Sequence, residues 1–266
     1  MVDTQTILIS GGANGLGHAI AKEAATQKWR IAIADIDESR GDAVVRDLCA
    51  TGAEALYVRC DVREDRDIRL AVQRVVKRWG QLDILVNCAG GISAGFFETL
   101  TDEDWHWQLN TNLMGAVRGA RAAVSEMRRQ QHGHIVNVAA LQGLTPEPGT
   151  AAYNASQAAL IALSETLQTE LEPLGIRTSV VLPSYFRSGQ LNALHSTDPV
   201  MRARLIDKMT QQQHSVEEIA RLTLEGIRKN TFMIMPPDAR SSARLKRWRP
   251  AALLANMLDA AKKYRK

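Results

Sequence analysis

Three glycines near the start of the chain, Gly11, Gly15 and Gly17, have the spacing of a turn that binds phosphate groups. They follow an apolar run at residues 7–9, typical of a strand buried on both faces, and they precede a predicted helix. A turn without side chains lets backbone N–H groups and the positive end of a helix approach a diphosphate. The combination of strand, turn and helix therefore predicts a dinucleotide site.

A second chemical signal is the carboxylate of Asp35, which ends an apolar strand at residues 30–35, 18 residues after Gly17. In this arrangement the acid accepts hydrogen bonds from the adenosine ribose hydroxyls, and its charge repels a 2′-phosphate. The alternative is that Asp35 is an ordinary loop or helix-cap carboxylate. Because the glycine turn lies upstream, we favour the ribose role, which predicts NAD(H) in preference to NADP(H).

Alternating strands and helices would position these residues. Apolar runs predict strands over residues 53–60, 82–87, 134–140, 176–182 and 232–235, separated by helices, one of which runs without a break from Asp102 to about Gln131. This alternation predicts an α/β fold with a doubly wound parallel sheet and helices on both faces. Between residues 184 and 214 the pattern is irregular, as expected of a lid over a substrate.

Length and composition limit the possible classes of protein. With 266 residues, 45% apolar and 23% charged, the chain fits one α/β domain, placed at residues 1–237, and an extension at 238–266. No signal peptide precedes the first strand and no apolar run could span a bilayer, so we expect a cytoplasmic protein. The cysteines lack metal-ligand spacing, which predicts buried free thiols and no metal site: Cys49, Cys60 and Cys88.

Positive charge is concentrated at the C-terminal end. From residue 240 onward there are nine basic residues and one acid, a formal charge of +8 that leaves −4 for the remaining chain. This asymmetry argues against a nucleic-acid surface spread over the fold. Six apolar residues are predicted to share one face of an amphipathic helix: Leu253, Leu254, Met257, Leu258, Ala261 and Tyr264. This helix either docks on the body or a neighbouring subunit, or makes peripheral contact with a membrane.

Several motifs in order resemble the short-chain dehydrogenase/reductase family over roughly residues 4–236. They are the glycine turn, the segment Asn87-Cys-Ala-Gly90, Asn112 followed by Leu-Met-Gly, and Tyr153 at a helix start. The resemblance implies a Rossmann domain with a seven-stranded parallel sheet, hydride transfer between a nicotinamide and a small carbonyl or alcohol substrate, and homodimers or homotetramers. The cofactor-binding residues it implies are Gly11, Asn14, Gly15, Leu16, Gly17, Asp35, Asp61, Val62, Asn87, Ala89, Gly90, Tyr153, Gln157, Pro183 and Ser188.

The resemblance also assigns catalytic positions, and two of them depart from the family pattern. Tyr153 corresponds to the catalytic tyrosine and Asn112 to the asparagine that positions a proton-relay water. The family serine, thirteen residues before the tyrosine, falls on Ala140, and the family lysine, four residues after it, falls on Gln157. The residues for cofactor binding are therefore retained, whereas half of those for proton transfer are replaced.

These replacements affect the two reaction directions unequally. An unperturbed tyrosine has a pKa of about 10, and a lysine charge about 4 Å away would favour its phenolate by roughly 4 kcal/mol. Gln157 can bond a ribose but has no charge, and Ala140 removes a hydroxyl worth about 1–3 kcal/mol. Reduction needs the protonated phenol and should suffer less than oxidation. Four side chains are candidates to replace the serine: Gln142, Thr145, Thr150 and Tyr185.

Two functions remain open at this point. One is a slow or specialised NAD(H)-dependent oxidoreductase with Tyr153 as proton donor. The other is a protein that binds NAD without catalysis and acts as a sensor or partner subunit. Both predict cofactor binding, so a turnover assay is needed to distinguish them.

Overall fold

A parallel sheet of seven strands forms the centre of the molecule. The computed structural model describes residues 4–185, 194–196, 198–210 and 214–264. The strands of the sheet are β1 (Thr6–Ser10), β2 (Arg30–Asp35), β3 (Ala55–Arg59), β4 (Ile84–Asn87), β6 (Gly133–Val138), β7 (Ile176–Val181) and β9 (Met233–Ile234). A separate parallel pair consists of β5 (Ile92–Ser93) and β8 (Leu194–His195).

Helices cover both faces of the sheet and continue beyond its last strand. Those in the described residues are α1 (Gly15–Thr26), α2 (Glu38–Ala50), α3 (Asp65–Trp79), α4 (Asp102–Leu109), α5 (Gly115–Gln130), α6 (Ala151–Leu171), α7 (Pro199–Thr210), α8 (Val216–Arg228), α9 (Pro237–Trp248) and α10 (Pro250–Tyr264). Helices separate successive strands of the seven-stranded sheet up to β7, which confirms the predicted α/β fold.

The strand order places the glycine turn at a binding position. The order is β3-β2-β1-β4-β6-β7-β9, so the direction of winding reverses between β1 and β4. Ser10 at the end of β1 pairs with Asn87 at the end of β4. In open α/β sheets, ligands bind beyond the carboxyl ends of the strands at such a reversal. The predicted seven-stranded doubly wound sheet is therefore confirmed, with the glycine turn at its switch point.

Burial of β1 on both faces explains its continuous apolar run. Ile7 and Ile9 pack on one side of the sheet, in a core that includes Leu224 of α8. Leu8 packs on the other side, in a core that includes Met127 of α5. Alternate residues of a strand point to opposite faces, so a strand between two helical layers needs an apolar residue at each position.

The predicted unbroken helix around Asn112 is interrupted. Helix α4 ends at Leu109, a π-helical turn spans Asn110–Met114, and α5 follows. In this turn the N–H of Gly115 donates to the carbonyl of Asn110, five residues earlier. Helix α4 begins at Asp102, as predicted, and Thr101 is its cap, which forms a reciprocal capping box with Asp104. π-Helical turns of this kind are frequent at functional sites.

The predicted irregular structure over residues 184–214 was wrong for part of that stretch, and the role of the stretch as a lid stays a prediction. Residues 198–210 form a cap and a helix, while residues 186–193, 197 and 211–213 lie outside the described residues. The Asp198 carboxylate accepts hydrogen bonds from the N–H groups of Val200 and Met201, which caps α7. Met201, Leu205 and Met209 are buried at a spacing of four residues. Helix α7 is thus anchored by a cap and an apolar stripe.

The C-terminal segment is helical, as predicted, but its apolar residues do not share one environment. Leu253, Met257 and Tyr264 are partly buried, whereas Leu254 and Leu258 are 56% and 55% exposed. The Tyr264 carbonyl accepts a hydrogen bond from Arg204 of α7 at 2.5 Å. The segment therefore contacts the body through one stripe of α10 and leaves a second stripe exposed. Within the described residues, no helix is long and apolar enough to cross a bilayer.

Candidate active site

A cleft beyond the carboxyl ends of the central strands gathers the predicted site residues. Its cavity measures about 390 Å³, a size typical of small-molecule sites. The predicted residues that border it are Gly11, Asn14, Gly15, Leu16, Gly17, Asp35, Asp61, Val62, Asn87, Ala89, Gly90, Asn112, Ala140, Tyr153, Gln157 and Pro183. Ser188 lies outside the described residues.

The glycine turn can only be made by residues without side chains. Gly11 and Gly15 have φ angles of +69° and +52°, a region that favours glycine. A Cβ on Gly11 would lie 2.7 Å from the Cα of Ala89, and a Cβ on Gly17 would collide with the carbonyl of Gly11. The Asn14 side chain accepts a hydrogen bond from the N–H of Gly15 at 2.8 Å and caps α1. The helix N-terminus is thus open to an anionic group.

Backbone groups orient the Asp35 carboxylate at the edge of the cleft. One oxygen accepts a hydrogen bond from Ala13 N–H at 3.0 Å, and the other accepts one from Asp37 N–H at 3.1 Å. Asp35 therefore joins the glycine turn to the loop after β2. Its carboxylate borders the cavity, as a ribose-binding acid requires.

Asp61 is paired with a basic residue that the sequence analysis did not identify. The Arg63 guanidinium donates to the Asp61 carboxylate at 2.6 Å and lowers its pKa, chiefly through this side-chain hydrogen bond. Both residues border the cleft after β3. No pattern in the sequence singled out Arg63, since an arginine two residues from an acid is common in exposed loops.

Asn112 connects the loop after β4 with the helix that carries Tyr153. Its amide exchanges two hydrogen bonds with the backbone of Gly91, each at 3.0 Å. Its Nδ2 also lies 3.4 Å from the hydroxyl of Ser156, which donates to the Tyr153 carbonyl at 2.8 Å. Asn112 thus fixes the wall of the cleft beside the phenol.

The Tyr153 phenol is protonated at neutral pH. The side chain lies in the first turn of α6 and is only 8% exposed. Burial raises its pKa above the ordinary value, and the Glu147 carboxylate raises it further. Among the described residues, no lysine or arginine alters this pKa. The phenol therefore keeps its proton and is a poor base.

Gln157 provides an unpaired acceptor in the same wall. The side chain is 4% exposed, and its Nε2 lies 3.4 Å from the Ser156 hydroxyl. Its Oε1 is buried and has no hydrogen-bond partner within the described structure. An unpaired buried acceptor costs about 1–3 kcal/mol, so a hydroxyl from a bound ligand would be stabilised there.

Only two of the four candidates to replace the missing serine border the cavity, namely Gln142 and Tyr185. The Thr145 hydroxyl donates to the Leu141 carbonyl and the Thr150 hydroxyl to the Glu147 carbonyl. These two hydroxyls therefore bond backbone carbonyl groups within the loop after β6 and do not face the cavity.

An aromatic pair on the substrate side of the cleft was also missed. Trp107 of α4 and His195 of β8 border the cavity, and their ring centroids lie 4.2 Å apart. The two residues are 88 positions apart in the sequence and meet because β5 pairs with β8. The sequence has no local pattern that would indicate this contact.

Of the three cysteines predicted to be buried, Cys60 is buried and Cys88 is partly buried. Burial raises the pKa of the Cys60 and Cys88 thiols to about 12, so both are protonated and unreactive. Cys49 is exposed rather than buried, because it lies near the end of α2. Within the described residues, no group of three His, Cys, Asp or Glu side chains could hold a metal ion.

The sequence matches the family described as short chain dehydrogenase over residues 5–199. The matched range runs from β1 to the start of α7 and includes the glycine turn, Asn112 and Tyr153. The chain therefore belongs to the short chain dehydrogenase family, a family of oxidoreductases.

Individual relatives support an oxidoreductase function. The chain is 34% identical over 176 residues to the 2,5-dichloro-2,5-cyclohexadiene-1,4-diol dehydrogenase LinX of Sphingobium indicum, covering 66% of this chain and 70% of that protein. It is 29% identical over 192 residues to the 3-oxoacyl-(acyl-carrier-protein) reductase FabG of Staphylococcus aureus, covering 72% and 78%. One relative is named for oxidation and the other for reduction.

Solved structures show the same fold. A short-chain dehydrogenase/reductase from Burkholderia phymatum in complex with NAD has a TM-score of 0.86 and 27% identity, covering 92% of this chain and 93% of that chain. The apo form of LigD from a Sphingobium species has a TM-score of 0.78 and 26% identity, with coverage of 96% and 97%. The first of these neighbours binds a nicotinamide cofactor.

Proposed function

We propose that this protein is an NAD(H)-dependent oxidoreductase that favours carbonyl reduction, with Tyr153 as proton donor. The single observation that carries the proposal is a buried, protonated phenol beside a cleft shaped for a dinucleotide. The cofactor, when bound, supplies the hydride. Its substrate is a small carbonyl or alcohol compound.

The residues of the cleft fit this cofactor. The glycine turn and the N-terminus of α1 would hold the diphosphate, and Asp35 would hold the adenosine ribose. Close packing of Gly11 and Gly17 leaves no room for side chains in the turn. The unpaired Oε1 of Gln157 would accept a hydrogen bond from the second ribose. The NAD complex of the Burkholderia relative supports the choice of cofactor.

The protein residues then control the proton. A phenol whose pKa lies above its ordinary value of about 10 stays protonated through the neutral range. Tyr153 can thus donate its proton to a carbonyl oxygen as the carbon is reduced. The reverse reaction needs the phenolate, which burial and Glu147 both disfavour. Reduction is therefore the favoured direction.

A second candidate function is cofactor binding without catalysis, as a sensor or partner subunit. Ala140 and Gln157 favour this alternative, since Ala140 cannot hold a substrate oxygen and Gln157 supplies no charge. A panel of ketones incubated with NADH separates the two candidates. Reduction of any ketone above the rate of Tyr153→Phe supports the enzyme, whereas NADH binding without turnover supports the alternative.

Neutralising Asp35 should change the choice of cofactor. We expect Asp35→Asn to lower the ratio of the NADPH and NADH dissociation constants by about tenfold, because a charge that repels the 2′-phosphate is removed. Titration of cofactor fluorescence measures both constants. Asp37→Asn is a matched control, since this carboxylate caps α2 two residues away and does not border the cavity. An unchanged ratio in Asp35→Asn would contradict the ribose role.

The C-terminal helices fit peripheral contact with an anionic membrane. Trp248, Leu254 and Leu258 are 75%, 56% and 55% exposed, and the Arg247 guanidinium lies 5.7 Å from the Trp248 ring. Exposed apolar residues next to basic ones bind anionic lipid surfaces. The alternative is that this stripe packs on another subunit of a homodimer or homotetramer.

We expect the full chain to sediment with vesicles that contain phosphatidylserine, and replacement of Trp248, Leu254 and Leu258 by serine to reduce the bound fraction about tenfold. Leu174→Ser is the control, because Leu174 is also exposed but lies outside the basic segment. Sedimentation with neutral vesicles tests the role of charge. If the triple variant instead lowers the oligomeric state and vesicle binding is absent, the stripe is a subunit contact.

A further inference from the structure

Glu147, Tyr185 and Lys208 form a polar cluster at the substrate end of the cleft. The Lys208 ammonium lies 2.6 Å from Oε2 of Glu147, and the Tyr185 hydroxyl donates to the same oxygen at 3.3 Å. The ammonium is also 5.3 Å from the centre of the Tyr185 ring. The three residues come from the loop after β6, the segment after β7 and helix α7, so they link three elements around the site.

Tyr185 connects this cluster to the cleft. Tyr185 is 7% exposed and borders the cavity. It packs in one apolar cluster with Ala140, Tyr153 and the buried face of α7. An ionised Tyr153 would raise the pKa of Tyr185, which shows that the two phenols are close to each other. A ligand that reached the Tyr153 hydroxyl would therefore lie beside Tyr185.

The direction of the hydrogen bond determines what Tyr185 offers to a ligand. A tyrosine hydroxyl has one hydrogen and two lone pairs, and a carboxylate only accepts. Since the hydrogen of Tyr185 points to Glu147, the lone pairs of its oxygen remain for a ligand that donates. Tyr185 is therefore poorly placed to replace the missing serine as a donor to a carbonyl oxygen.

The charges of the cluster further limit the chemical groups that a ligand can place beside Tyr185. The Glu147 carboxylate does not itself border the cavity, so it acts on a ligand through the Tyr185 hydroxyl that it orients. The Lys208 charge is already paired with Glu147. The ion pair therefore offers no free cation to an anionic ligand, and the accepting oxygen of Tyr185 favours a neutral group with an O–H hydrogen to donate.

On the basis of the proposed function, we propose that Tyr185, oriented by Glu147, binds a hydroxyl group on a carbon near the reacting carbonyl. The preferred substrates are then neutral hydroxy ketones, and the corresponding products are diols. Tyr185 determines specificity, and Glu147 is a positioning residue that fixes the direction of the Tyr185 hydrogen. This role is separate from proton donation by Tyr153.

The test compares two ketones with the same carbon skeleton, 2-hydroxycyclohexanone and cyclohexanone. Binding of each to the NAD⁺-saturated full chain is measured by calorimetry, and kcat/KM for each is measured with NADH. We expect the natural chain to prefer the hydroxy ketone by about tenfold in both measurements, the effect of one hydrogen bond. Tyr185→Phe should abolish this preference, so that the ratio of the hydroxy ketone and cyclohexanone values falls to about one.

Two further variants separate specificity from packing. Glu147→Gln retains Tyr185 but supplies an amide that can donate to it, so the hydroxy ketone preference should fall about as far as in Tyr185→Phe. Tyr264→Phe is the matched control, because this phenol lies near Tyr185 but does not border the cavity. Its preference should equal that of the natural chain.

The outcomes also separate this inference from the proposed function. A binding preference that Tyr185→Phe removes, in a protein without turnover, would support the hydroxyl site and contradict the enzyme. Turnover with equal use of both ketones would support the enzyme and overturn the hydroxyl site. If Tyr185→Phe weakened the binding of both ketones equally, the phenol would only pack against helix α7. That result would also overturn the inference.

Discussion

Replacing Ala140 by serine and Gln157 by lysine in one variant should raise the rate of carbonyl reduction by about 100-fold. The serine hydroxyl would hold the substrate oxygen, an interaction worth about 1–3 kcal/mol. The lysine charge would make Tyr153 a stronger acid, since a charge about 4 Å away is worth roughly 4 kcal/mol. Both positions are 4% exposed and border the cavity, so the new groups would face the reacting atoms.

The turnover number for alcohol oxidation at neutral pH should rise more, by about 1,000-fold. The reason is that the lysine lowers the pKa of Tyr153, which is the base in this direction, by up to about three units. Each single variant should give part of the gain. Gln157→Met is the control for charge, since it removes the amide without adding an ammonium group. If the double variant binds NADH normally and gains nothing in either direction, the two side chains are not what limits catalysis.

Removing the Tyr153 hydroxyl should abolish most of the activity while leaving cofactor binding intact. We expect Tyr153→Phe to reduce ketones at least 100-fold more slowly, the usual effect of losing a general acid. Stopped-flow oxidation of bound NADH measures the chemical step directly, and quenching of NADH fluorescence measures binding. The phenylalanine fits the same buried space, so folding should be unaffected.

Tyr185→Phe is the matched control for this loss, because it removes the other phenol of the pocket. It should retain reduction of cyclohexanone at close to the natural rate. Equal rates for the natural chain and Tyr153→Phe would show that the proton comes from another group or from water, and would contradict the assignment of Tyr153.

The sequence was informative where short segments determine geometry. The unbroken apolar run at residues 7–9 indicated a strand with neighbours on both faces, and Gly11 and Gly17 indicated a turn with no room for Cβ atoms. Asp35 follows such a strand and lies at the edge of the cleft. These features depend on neighbours in the sequence, so a pattern of residue types can reveal them.

Features that depend on contacts between distant segments could not be predicted. Trp107 meets His195 only because β5 pairs with β8, and Glu147 meets Lys208 only because α7 packs over the loop after β6. The exposed position of Leu254 was also missed. Helical periodicity shows that α10 has a wide apolar face, but not which part of that face contacts the body.

Secondary structure near the site was obscured by tertiary hydrogen bonds. The π-helical turn at Asn110–Met114 accompanies two hydrogen bonds between Asn112 and the backbone of Gly91. Local propensity contains no information about that partner, so a continuous helix was the natural expectation. In contrast, the capping box of Ser215 and Glu218 in α8 joins residues three positions apart, so it is a feature that a local pattern can reveal.

The pH dependence of the chemical step tests most directly the claim that Tyr153 is a protonated phenol without a neighbouring cation. Single-turnover reduction of a ketone by NADH, followed from pH 6 to 9.5, should show a constant rate, because the raised pKa of Tyr153 keeps its proton in place throughout. In Gln157→Lys the rate should fall toward the alkaline end. A decline in the natural chain with a midpoint near pH 7 to 8 would contradict the account.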